Sequence, residues 1–129
     1  MTNTILTTLL HTAPPHIPAG AEAMTATLEL PPGDPGTPPH RHSGPVFGYV
    51  LEGELLFELE GEPARVIRAG EAFWEPGGDV IHYLAANNLP EATTRFVVVM
   101  IHAPGEPMLT LVDADELAAR VHLRAPKEA

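Results

Sequence analysis

Proline and glycine interrupt this chain so often that only short, turn-linked segments fit between them. Fifteen prolines and eleven glycines are spread over 129 residues. Proline fixes φ and removes an amide donor, and glycine readily enters turn conformations, so both bound elements more than they extend them. The stretches between them alternate apolar and polar residues with a period near two, the pattern of half-buried strands. Strands are expected at Ile5–Leu10, Met24–Leu30, Val46–Leu51, Leu55–Glu60, Ala64–Ile67, Ala72–Glu75, Ile81–Ala85 and Thr94–His102. Glu52-Gly53-Glu54 reads as the turn of a hairpin joining the third and fourth of these. Pro31 to Pro39 can hold neither a helix nor a central strand. Short strands spaced by glycine-rich turns indicate an all-β sandwich or barrel rather than a βαβ fold. One short helix is expected at Asp113–His122, opened by the capping Asp113, with Arg120 in its last turn.

The length suits one domain, residues 1–129, with 1–23 as an N-terminal strand and loop and 113–122 as a C-terminal helix. Seventeen acidic residues against seven basic ones give a formal charge of −10. Such a surface repels phosphate backbones and anionic lipid heads, so neither nucleic acid nor membrane is expected as a partner. There is no cysteine, which removes disulfide scaffolds and thiolate metal sites. The apolar start lacks a basic leader, and the longest apolar run, Phe96 to Ile101, is far short of a bilayer span. A cytoplasmic location is the expectation.

The chemistry concentrates at Pro38-Pro39-His40-Arg41-His42. Residues i and i+2 of a strand share a face, so His40 and His42 can reach one ion. Imidazole suits Fe, Ni, Mn, Cu and Zn. The pair alone is weak, because two solvated loop histidines would look the same. Its context is Ser43-Gly44-Pro45-Val46-Phe47-Gly48-Tyr49-Val50-Leu51-Glu52-Gly53, then Gly70 to Pro76, Gly78, His82 and Asn87.

These two blocks resemble the paired motifs of the cupin superfamily, G-x5-H-x-H-x3/4-E-x6-G and G-x5-P-x-G-x2-H-x3-N. The resemblance implies a double-stranded β-helix, or jelly-roll barrel, with the short helix appended. It also implies one divalent metal ion held by His40, His42 and His82. The sequence departs from the pattern in four places. Val46 stands where the family has a glutamate ligand, and no glycine lies six residues before His40. One extra residue separates Gly78 from His82, and one extra separates His82 from Asn87. Three neutral imidazoles alone would leave the ion its full charge and favour an anionic ligand. The missing glutamate is equally consistent with a barrel that has lost its metal.

Alternation turns Val46, Gly48 and Val50 to the metal side, with Val46 as an apolar wall and Gly48 leaving room beside the ion. Val50 reads as core. Glu75, just before Pro76, is a candidate general base or a replacement for the missing ligand; it could also face solvent. Trp74 and Tyr83 are further pocket candidates. Resemblance to three-histidine cupins implies a dioxygenase-like enzyme acting on a diketone, flavonol or similar enolate. A lyase, isomerase or cyclase using Glu75 is a close variant, and a non-catalytic small-molecule-binding or sensory module is the competing class. A homodimer is expected through Ile5–Leu10 as an edge strand.

Overall fold

The computed structural model describes residues 3–126. Nine strands form among them: β1 (Glu22–Leu30), β2 (His40–Arg41), β3 (Val46–Glu52), β4 (Glu54–Leu59), β5 (Arg65–Arg68), β6 (Ala72–Glu75), β7 (His82–Asn87), β8 (Thr94–His102) and β9 (Thr110–Leu111). They build two antiparallel sheets, ordered β1-β8-β3-β6 and β5-β4-β7-β2-β9. Helix α1 (Ala114–Arg120) follows, capped by Asp113, whose side chain accepts from the Glu116 amide, and it tightens into a 3-10 turn at Val121–Leu123.

The period-two pattern explains the packing. Along β8, Thr94, Phe96, Val98 and Met100 point inward and are buried, while the residues between them are half-exposed. Val46 and Val50 of β3, Leu55, Phe57 and Leu59 of β4, and Phe73 of β6 complete the core between the sheets. Phe73 lies edge-on to Phe96 at 5.9 Å and tilts against Phe57 at 5.1 Å, spacings at which aromatic pairs attract.

Two expectations fail. The Glu52-Gly53-Glu54 turn does not make a hairpin, because β3 and β4 lie in different sheets. Both edges of β3 are already taken, one by β6 and one by β8, so β4 has no edge on which to pair. The turn carries the chain across the core instead. Ile5–Leu10 belongs to neither sheet. Its Ile5 and Leu6 side chains are 87% and 91% exposed, so no buried face fixes a register, and alternation alone does not make a strand. Thr110–Leu111, not expected as a strand, pairs with β2 and closes that sheet.

Candidate metal centre

His40 and His82 are set opposite one another by the β2–β7 ladder, with their rings 4.9 Å apart. His42 follows two residues after His40, its ring 4.9 Å from that of His40 and edge-on to it. Its loop is pinned by the second glycine-rich turn. The Gly78 amide donates to the His42 carbonyl at 2.7 Å. A Cβ at Gly77 would stand 2.1 Å from the Gly44 carbonyl oxygen, so the two turns meet backbone to backbone. This contact ties the Pro76-Gly77-Gly78 segment to the first histidine pair.

Two backbone carbonyls orient the rings. His40 Nδ1 lies 2.8 Å from the Pro38 oxygen, and His42 Nδ1 lies 2.7 Å from the Met108 oxygen. A carbonyl only accepts, so each Nδ1 carries the proton and each Nε2 keeps a lone pair for an ion. Met108 sits just before β9, so the segment after β8 positions a ring 66 residues earlier in the chain. Arg41, between the two histidines, faces outward to Glu116 of α1 at 2.6 Å and Asp79 at 3.5 Å.

The fourth member is Glu75. It is 5% exposed, and its Oε1 lies 3.0 Å from His82 Nδ1 and 3.5 Å from His42 Nε2. One donor atom from each of His40, His42, Glu75 and His82 falls within 4.8 Å of all the others, and all four residues are buried. Burial by itself raises a carboxyl group, yet the neighbouring His82, and then His42 and His40, hold Glu75 below its usual range. Burial also pushes His40 down to about 4, against the Pro38 carbonyl, so its ring is neutral at physiological pH.

The donor set fits a divalent ion. Among the described residues both His82 ring nitrogens are buried without a hydrogen-bond partner, Nδ1 having only an ion-pair approach of 3.0 Å to Glu75 Oε1. A buried orphan acceptor is costly unless something satisfies it, and an ion among these side chains would do so. Three imidazoles and one carboxylate suit the borderline first-row metals rather than calcium or magnesium.

Beside the cluster lies a cavity of about 90 Å³ whose walls include Leu28, Leu55, Phe73, Phe96, Val98 and Met100. Several pocket candidates are not on it. Val46 is buried and turned inward but is not among the residues that line it. The room expected at Gly48 is filled by the Phe73 ring, whose Cζ would stand 2.1 Å from a Cβ there. Trp74 points to the opposite face of its sheet and stacks on Phe47 at 6.4 Å. Tyr83, next to His82 and therefore on the other face, lies under the Arg124 guanidinium at 4.5 Å. Met108 and Leu109 do line the cavity and carried no sequence signal. Asn87 is structural: its amide donates to the Pro31 and Ala92 carbonyls at 2.9 and 2.8 Å, and its oxygen accepts from Thr94 at 2.7 Å.

Comparison with known proteins gives the same architecture. The sequence model of one family, described as Cupin domain, matches residues 26–100. An oxalate oxidase solved with the substrate analogue glycolate superposes with a TM-score of 0.55 at 24% identity, over 79% of this chain and 57% of that one. The DMSP lyase DddQ from Ruegeria pomeroyi DSS-3 superposes with a TM-score of 0.55 at 23% identity, over 70% of this chain and 43% of that one. A cupin-like protein from Thermotoga maritima gives 0.55 at 17% identity, over 81% and 75%. The chain thus spans little more than half of the oxidase and less than half of the lyase. No curated protein sequence matches it.

Proposed function

Because the chain belongs to the cupin family, matched over residues 26–100, we propose that it is a metal-dependent enzyme acting on a small oxygen-bearing organic molecule. The observation that carries this reading is the buried quartet of His40, His42, Glu75 and His82 on the wall of an apolar cavity. A divalent ion held by these four residues would supply a Lewis-acid or redox centre for the oxygen atoms of a ligand. The chain supplies the rest. The Pro38 and Met108 carbonyls hold two rings in the coordinating tautomer. Leu28, Phe96 and Val98 exclude water from whatever lies beside the cluster.

The position of Glu75 favours oxidative chemistry over a lyase or isomerase. A carboxylate committed to the ligand set is not free to shuttle protons, and the other described residues lining the cavity offer no second acid. Dioxygenase-like turnover, which the metal centre can support without a protein base, is therefore the form proposed.

The test is metal analysis of the purified protein and of His42→Ala, followed by oxygen uptake with small β-diketones and 2-oxo acids. One equivalent of metal in the parent, its loss in the variant, and uptake with one of these substrates is the expected result. Metal at one equivalent with no turnover would turn the reading to a binding or sensory module. Sub-stoichiometric metal, with no rise in melting temperature on adding any first-row ion, would end it, since tight binding stabilises by about 4 kcal/mol at a thousandfold excess over Kd.

A further inference from the structure

The cavity beside the quartet limits both the size and the charge of its ligand. At about 90 Å³ it is well under the roughly 300–1,000 Å³ of most small-molecule sites. An apolar cavity of about 150 Å³ holds benzene, so a flavonol has no room here and six non-hydrogen atoms, benzene's own count, is an upper bound in this smaller space.

Charge is the sharper restriction. Apart from the quartet, the described lining residues are apolar except for Thr37, and none of them is Lys or Arg. Five of the described arginines pair with carboxylates away from the cavity, and Arg65 is exposed, its guanidinium over the Phe57 ring. A divalent ion on three neutral imidazoles and one carboxylate carries one net positive charge. A single negative charge on the ligand neutralises it. A second would be buried among aliphatic side chains with no cation to face among the described residues, which is strongly unfavourable.

We propose that this site selects a small monoanion, of about six non-hydrogen atoms or fewer, and rejects dianions of the same size. The inference rests on the reading of His40, His42, Glu75 and His82 as one ligand set. Short 2-oxo or 2-hydroxy monocarboxylates are the matching class: one carboxylate with an adjacent oxygen, and an alkyl end for Val98 and Met100. Thr37, half-buried at the cavity, is then a specificity-determining position, because its neutral side chain leaves a second carboxylate without a partner.

Cobalt(II) is a suitable probe, since its visible spectrum reports ligand binding without turnover. The protein and His42→Ala are first titrated with cobalt. The loaded protein is then titrated with pyruvate and with oxalate, which have equal numbers of non-hydrogen atoms and both offer two oxygens but differ in charge. Pyruvate is expected to bind at least tenfold tighter than oxalate, against their order for the free ion. Thr37→Lys, which supplies the absent cation, should shift that ratio at least tenfold towards oxalate. Cobalt that fails to bind the protein, or binds His42→Ala equally well, overturns the ligand set and the proposal with it. Cobalt bound as expected, with oxalate held as tightly as pyruvate, overturns the proposal alone. A folded Thr37→Lys protein whose ratio is unchanged also overturns it.

Discussion

Val46 of β3 and Glu75 of β6 stand in register across their ladder, both turned into the barrel and both at most 5% exposed. Val46 occupies the position at which the family pattern has a glutamate, and Glu75 offers a carboxylate from the opposite strand. Directly paired residues lie about 4.5–5.5 Å apart at Cβ, so a carboxylate on either can reach nearly the same place. The prediction is a relocation. Glu75→Val should lower metal affinity by more than the roughly 10- to 100-fold that loss of an outer-shell partner costs. Adding Val46→Glu to it should restore most of the affinity. Competition against a chromophoric chelator measures both, and a double variant no better than Glu75→Val would show that the two positions are not interchangeable.

The legible part of this site is the part that depends on side-chain type and spacing. His40 and His42 are two apart, His82 follows a glycine-rich turn, and Glu75 stands out as an acid just before Pro76, although the sequence left open whether it faces inward or to solvent. The Met108 carbonyl could not be found this way, because any residue presents a carbonyl and its 66-residue separation from His42 leaves no pattern. Trp74 and Tyr83 mislead because neighbours of inward residues point outward, and closeness in sequence is then distance in space. Most strands are readable from alternation, Ile5–Leu10 and Thr110–Leu111 being exceptions, but their partners are not. The turn at Gly53 looks like a hairpin until β6 and β8 are seen on both edges of β3.

Gly48 is held to glycine by the ring beside it. Phe73 is 2% exposed and packed between Phe57 and Phe96, so it cannot swing clear of a Cβ placed 2.1 Å from its Cζ. Gly48→Ala should destabilise by about 1–3 kcal/mol through overpacking, a fall of roughly 4–11 °C in Tm. Phe73 lines the cavity, so the loaded variant should also bind pyruvate more weakly than the parent. Calorimetry and the cobalt titration together test this, and an unchanged Tm would refute the clash.

Asn87 joins the end of β1, the β7–β8 loop and Thr94 through one buried side chain. Removing it leaves several buried polar groups unsatisfied at about 1–3 kcal/mol each. Asn87→Ala should therefore cost on the order of 3 kcal/mol in urea unfolding, while the protein still folded at low temperature binds one equivalent of cobalt. Metal loss in that folded fraction would mean the side chain acts on the site and not only on the frame.

The chain after α1 is fastened by a charge that cannot easily be left alone. The Glu58 carboxylate, with 7% of its side chain exposed, accepts from Nε and Nη2 of Arg124, at 2.6 and 2.8 Å. Breaking a buried pair from one side costs about 3–5 kcal/mol, because it strands the other charge. Arg124 is 32% exposed and water can partly replace it, so Arg124→Met should cost less, about 2 kcal/mol. Glu58→Gln added to Arg124→Met removes the stranded charge and should recover most of that loss. If the single and double variants unfold at the same urea concentration, the cost lies in packing over the Tyr83 ring and not in the carboxylate.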